Sequence, residues 1–131
     1  MILDASAVFG VLTGRAAPRT VDVLTETPEF HAPQVLDVEV LSALRRHVRR
    51  GELSDQRATA AVRDLAGLPI VRYEHDLLVP RMWSLRHNFS SYDASYVALA
   101  EALGDLPILT GDVSFARAIE KHTDIEPILY S

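Results

Sequence analysis

Met1-Ile2-Leu3-Asp4-Ala5-Ser6-Ala7-Val8-Phe9-Gly10-Val11-Leu12 sets an apolar triplet, a lone carboxylate and a second apolar run in direct succession. A short apolar run suits a buried strand, and Ser6 to Leu12 is long enough for a helix closed by Thr13-Gly14. The segment therefore predicts a strand that feeds straight into a helix, with Asp4 at the join. The same order returns late in the chain. Leu106-Pro107-Ile108-Leu109 reads as a strand leading through Thr110-Gly111 to Asp112, followed by a short helix over Phe115, Ala116, Ala118 and Ile119.

The residues between continue the alternation. Arg19 to Thr25 predicts a short amphipathic helix, Phe30-His31-Ala32 a brief strand, and Pro33 the opening of the next helix. In that helix Leu36, Val40 or Leu41, Leu44 and Val48 recur at helical spacing, with Arg45, Arg46, Arg49 and Arg50 between or beyond them, and Gly51 marks its stop. Ser54 caps a further helix whose apolar positions are Ala58, Ala61, Val62 and Leu65, and Pro69-Ile70-Val71 reads as a third strand. Leu78, Met82 and Leu85 form a stripe in which Pro80 fits only within a first turn. Tyr96 to Leu103 is apolar on most sides, predicting a buried helix ended by Gly104, and Ile125 to Tyr130 is a last strand. Short apolar strands alternating with helices predict an α/β fold: a central, mostly parallel sheet flanked by helices, in one domain over residues 1–131.

Composition narrows the chemistry. With 131 residues, 48% of them hydrophobic, the chain has enough apolar material to bury roughly two-thirds of its unfolded surface. There is no Cys, which excludes disulfides, thiolate metal sites and thiol nucleophiles. The formal charge is −5, so affinity for a polyanion would not come from net charge. Of the 13 basic residues Lys121 alone is Lys, leaving almost no candidate for Schiff-base or phosphate-cradling Lys chemistry. No apolar stretch approaches the roughly 18 residues of a transmembrane helix, and Met1 to Leu3 runs into Asp4 without a basic leader, so the expectation is a cytoplasmic protein with no membrane contact.

Asp4, Glu39, Asp93 and Asp112 are the carboxylates that need explaining. Each also has a purely structural reading. Asp4 and Asp112 fit as helix N-caps, Ser90-Ser91-Tyr92-Asp93 fits a capping box, and Glu39 complements a helix dipole. Taken together they point further, because strand ends and early helical turns of a parallel sheet share the edge where ligands bind. Four convergent carboxylates repel one another unless cations neutralise them or protons are taken up. Oxygen-only ligands suit Mg²⁺ or Mn²⁺, and the chemistry implied is metal-assisted phosphodiester hydrolysis.

Met1 to Ala7, Leu36-Asp37-Val38-Glu39-Val40-Leu41-Ser42-Ala43-Leu44, Tyr92-Asp93-Ala94-Ser95-Tyr96 through Ala100-Glu101, and Leu109-Thr110-Gly111-Asp112 together resemble the PIN-domain ribonucleases. More narrowly, the chain resembles the VapC-type toxins of bacterial toxin–antitoxin pairs. The resemblance implies a divalent-metal-dependent endoribonuclease. Asp4, Glu39, Asp93 and Asp112 would be its catalytic and metal-holding quartet, with Asp4 and Asp93 as the direct ligands of Mg²⁺ or Mn²⁺. Ser6 and Thr110 match the hydroxyl positions that orient acids or water. The resemblance also implies an RNA substrate, a cognate VapB-like antitoxin bringing a basic segment to the acidic site, and a homodimer with apolar residues such as Trp83 or Phe9 available for the interface. One departure stands out. No acid follows Asp112 until Glu120, which argues against a strongly held second metal.

Arg45 and Arg46 are the candidate contacts for RNA phosphates, against the plainer reading of a solvated basic face. The five His residues have no ligand spacing and are assigned neither to metal nor to catalysis. Trp83, Tyr92 and Tyr96 read as core or interface residues. Rival functions fare worse: a phosphotransferase using Asp4 wants an acid where Ser6 stands, and a phosphoacceptor domain wants a Lys beside the acids. A solitary PIN-type nuclease, or a catalytically silent RNA- or protein-interaction module, are the remaining alternatives.

Overall fold

β1 (Ile2–Leu3) is the middle strand of the molecule and Ile2 is wholly buried. The computed structural model describes residues 1–15 and 18–130, and of residues 18, 19 and 21 the backbone alone. From β1 the chain runs through α1 (Ala5–Leu12) and α2 (Pro18–Glu26) to β2 (Phe30–Pro33). It continues through α3 (Val35–Arg49) and α4 (Asp55–Gly67) to β3 (Ile70–Tyr73), and then through a 3₁₀ turn (Asp76–Leu78), α5 (Val79–Ser84) and α6 (Ser91–Ala102) to β4 (Ile108–Thr110). α7 (Val113–His122) and β5 (Pro127–Leu129) follow.

The strands lie in the order β3-β2-β1-β4-β5, every neighbouring pair parallel. The chain thus steps outward from β1 to β3 on one side, then returns to place β4 on the other side of β1. Strand order reverses between β1 and β4, and a crevice opens at the carboxyl ends of such a pair. Asp4 directly follows β1, and Asp112 lies just past β4.

Local chemistry sets the helix starts as the sequence predicts. The side chains of Asp4, Ser54, Ser90 and Asp112 each accept a hydrogen bond from a first-turn amide of the helix that follows. Pro80 falls in the first turn of α5, where its missing N–H costs nothing. Gly51 leaves α3 with φ at +72°. α6 is buried continuously from Ala94 to Ala100, because it lies across β1, β2 and β4 and is covered by α5 on its other side. The bidentate pair of Arg81 with Glu101, both bonds 2.9 Å, fastens α5 to it. Among the described residues no helix is long and apolar enough to cross a membrane.

Several expectations are corrected. Pro33 closes β2, and the helix begins at Val35, because β2 pairs through Pro33 with Tyr73 and the Gln34 N–H, the last donor of that edge, goes to the Tyr73 carbonyl. β3 reaches on to Tyr73 for the same reason, since each residue of β2 finds a partner there. β5 is shorter than the Ile125 to Tyr130 run. Phe9 is buried in the core, so it offers no interface, whereas Trp83 is 67% exposed and Tyr92 58% exposed, so neither is a core residue.

Candidate active site

Asp4 is the best-held acid of the molecule. Its Oδ1 accepts from Ser6 Oγ at 2.6 Å and from the Ala7 N–H at 3.1 Å, while its Oδ2 accepts from Thr110 Oγ1 at 2.6 Å. Burial pushes its carboxyl above the ordinary range, these three bonds oppose that, and the charge of Asp112 adds to it. Ser6 and Thr110, the two hydroxyls singled out in the sequence, thus both orient Asp4. They also tie down the neighbouring turn: the Gly111 N–H donates to Ser6 Oγ at 2.7 Å and the Asp112 N–H to Thr110 Oγ1 at 3.0 Å.

Glu39 comes from the first turns of α3 and lies beside Tyr96 of α6, whose hydroxyl donates to its Oε1 at 2.7 Å. Burial raises the Glu39 carboxyl, the Tyr96 bond lowers it, and Asp4 raises it further. The same neighbourhood pushes the Tyr96 phenol far up, first by burial and then by the Glu39 charge. Tyr96 therefore stays a donor at any cellular pH.

Asp93 stands on the first turn of α6. Ser90 Oγ accepts from its N–H at 3.1 Å, but no bond runs back from the Asp93 carboxylate to the Ser90 amide among the described residues, so only half of the expected capping box forms. The carboxylate accepts no hydrogen bond at all within that set, and it is pushed up to about 6 by burial and then by the charges of Asp112, Asp4 and Glu39. Asp112 Oδ1 caps α7 through the Phe115 N–H at 3.1 Å. Its capping role and its place in the cleft are compatible, because one carboxylate has lone pairs for both.

All four acids line one open cleft of about 590 Å³. Arg46 lines it too, but Arg45 does not. Arg45 lies with Arg49 in a separate groove between α3 and α4. One residue along a helix turns a side chain by about 100°, which is enough to part the two arginines. The cleft also takes in Phe9, which the sequence reading gave to an interface, and residues it did not single out, among them Val38, Ser42 and His47. Ser42 and Arg46 lie three and seven residues after Glu39, a helical spacing legible in hindsight. His47 carries no free nitrogen: Nδ1 meets the Ala43 carbonyl at 2.8 Å and Nε2 faces Glu52 at 3.5 Å, with the ring 4.5 Å from that of Phe9.

The donor set fits a hard divalent cation. It is all oxygen, and the half-buried Asp93 carboxylate lacks any donor while facing three like charges. Among the described residues no three His, Asp or Glu side chains stand closely enough to enclose an ion unaided.

Comparison with known proteins bears on the family and the fold. A family model described as the PIN domain matches residues 1–121. Ribonuclease VapC1 of Mycobacterium tuberculosis is 46% identical over 120 residues, 89% of each chain. Among solved structures, a protein of Pyrobaculum aerophilum superposes with a TM-score of 0.72 at 19% identity, over 96% of this chain and 81% of that one. Mycobacterium tuberculosis VapC20, a Sarcin-Ricin loop cleaving toxin, superposes with a TM-score of 0.65 at 17% identity, over 89% and 93%.

Proposed function

This chain belongs to the PIN-domain family, and on that premise we propose that it is a VapC-type endoribonuclease, the toxin of a toxin–antitoxin pair, hydrolysing RNA phosphodiester bonds with Mg²⁺ or Mn²⁺. The observation that carries the reading is the convergence of Asp4, Glu39, Asp93 and Asp112, from four separate elements, on one cleft at the reversal of strand order. Asp4 and Asp93 would hold the cation, with Asp112 and Glu39 completing the negative field. When bound, the ion supplies an activated water and neutralises charge on the leaving oxygen.

The chain's own residues do the positioning. Ser6 and Thr110 keep the Asp4 carboxylate in one orientation, and Tyr96 occupies one oxygen of Glu39, which lines the cleft. Among the described residues Arg46 is the arginine that lines the cleft, and we assign it to a substrate phosphate flanking the scissile one. Arg45, in its separate groove, has no such role. The acidic cleft also suits a basic antitoxin segment, since Arg binds carboxylates bidentately and stays charged at cellular pH. Self-association, through the exposed Trp83, Leu77 and Val79, and a cytoplasmic location are further parts of the proposal.

The test is cleavage of structured RNA by the purified chain with Mg²⁺ or Mn²⁺. Asp93→Asn should abolish it at nearly constant side-chain size. Full cleavage by that variant, or by the unaltered chain in excess EDTA, refutes the assignment. Co-expression with the product of the adjacent small reading frame should yield an inactive complex. A chain that cleaves RNA but forms no such complex is a solitary nuclease instead.

A further inference from the structure

Past β5 the chain carries an aromatic ring over the turn that leads to Asp112. The Tyr130 N–H donates to the Thr110 carbonyl at 2.6 Å, one residue beyond the register that pairs Thr110 with Leu129. The ring then occupies the space that two glycines leave. A Cβ on Gly111 would stand 2.7 Å from Tyr130 Cδ1 and 3.3 Å from Ser6 Oγ, and a Cβ on Gly10 would overlap Tyr130 Oη and Cζ. Neither glycine has a positive φ. What these two positions require is therefore the absence of a side chain, not backbone freedom. Gly10 sits inside α1, where Gly costs a helix about 1 kcal/mol relative to Ala.

The hydrogen bonds of the site pass through the turn against which that ring packs. The Gly111 N–H holds Ser6 Oγ, which donates to Asp4, and Thr110 Oγ1 accepts from the Asp112 N–H while donating to Asp4. α1 and the Gly111–Asp112 turn are separate pieces of chain, and Tyr130 packs against both.

We propose that Tyr130 is a positioning residue of the acidic site: its ring, wedged against Gly10 and Gly111, holds the Gly111–Asp112 turn onto Ser6 and so sets Asp112 relative to Asp4. The ring does the holding, because the hydroxyl finds no hydrogen-bond partner among the described residues. The functional part of this inference rests on reading the cleft as the nuclease site. The packing part does not.

The experiment compares Tyr130→Ala and Tyr130→Phe with the unaltered chain in two measurements. In metal-free protein, amide hydrogen exchange at Gly111 and Asp112 should accelerate by about tenfold or more in Tyr130→Ala, with core amides of β1 and α6 unchanged. In RNA cleavage, kcat should fall by about ten- to a hundredfold with KM held within about twofold, since a small misplacement costs rate rather than binding. Tyr130→Phe should restore both. If Tyr130→Ala does not fold, Tyr130→Leu, which keeps bulk without the flat ring, takes its place. The proposal is overturned by unchanged exchange at Gly111, by exchange that rises equally through the whole chain, by unchanged kcat over a loosened turn, or by a Phe variant as impaired as the Ala variant. Should the unaltered chain cleave no RNA, the nuclease reading fails, while the exchange data still decide whether Tyr130 holds the turn.

Discussion

Asp93→Asn should make the metal-free protein more stable. The Asp93 carboxyl, ordinarily near 3.8, is pushed up to about 6 by burial and by Asp112, Asp4 and Glu39. At about 1.36 kcal/mol per pH unit, ionising it in the folded state costs at most about 3 kcal/mol above neutral pH, less what solvent screens at a half-buried carboxylate. The sign follows from the direction of the shift. A carboxyl raised on folding contributes stability that is full below its unfolded value and is lost as pH rises through the folded one, here between about 4 and 6. Asn removes the charge, so it removes the penalty. It also forfeits an acid in the first turn of α6, worth about 0.3–1 kcal/mol, and stays polar, which leaves a net gain of about 1–2.5 kcal/mol at pH 7.5.

For a chain of this length the unfolding entropy is about 0.28 kcal/mol/K, so the gain corresponds to a Tm about 4–9 °C higher. Thermal melts in EDTA at pH 7.5, 5 and 4 measure it. Because the penalty on the native carboxylate falls to at most about 1.6 kcal/mol at pH 5 and at most about 0.6 at pH 4, the advantage of the variant should shrink steadily toward acid. An Asp93→Asn protein no more stable than the native chain at pH 7.5, or equally advantaged at all three pH values, refutes the reasoning.

Divalent cation should raise the native Tm, by about 2.7 kcal/mol of added stability at a hundredfold excess over Kd, and the shift should vanish in Asp4→Ala/Asp93→Ala; an equal shift in both proteins would move the metal elsewhere. Arg46→Ala should raise KM for RNA about tenfold and flatten its salt dependence, while Arg45→Ala stays within about twofold, so equal effects would remove the distinction drawn from the cleft. Arg72→Ala should cost about 1–3 kcal/mol in urea melts at unchanged m-value, because it breaks the bidentate pair with Asp37 (2.7 and 2.9 Å) and takes a donor from the Leu65 carbonyl. A loss within about 0.5 kcal/mol would mean that the pair is merely a surface ion pair.

The element order was readable because its signals are local. Ser54 before Asp55, Gly51 after Arg49 and the apolar triplet before Asp4 act through hydrogen bonds and φ preferences spanning a few residues, and each lies where the sequence places it. Boundaries shifted where pairing outweighed local preference, as at Pro33, which the sequence reads as opening a helix and the Tyr73 partner keeps in β2. Between core and interface, the two readings open for Trp83 and Phe9, the sequence could not choose for a related reason. Hydrophobicity alone does not say which side of a helix meets the core, and packing buried Phe9 against His47 while leaving Trp83 under Arg86, 4.4 Å from its guanidinium carbon.

By itself the sequence determined the α/β alternation, the four acids at strand ends and early helical turns, and the all-oxygen character of the site, since residue type and short-range spacing carry that information. Tertiary structure alone decided the order β3-β2-β1-β4-β5, which brings Asp4 and Asp112 together across more than a hundred residues. It also decided which arginine of an adjacent pair enters the cleft, and that Tyr130 fills the space above Gly10 and Gly111. Those outcomes depend on long-range pairing, helix phase and excluded volume, quantities that exist only once distant segments are packed against each other.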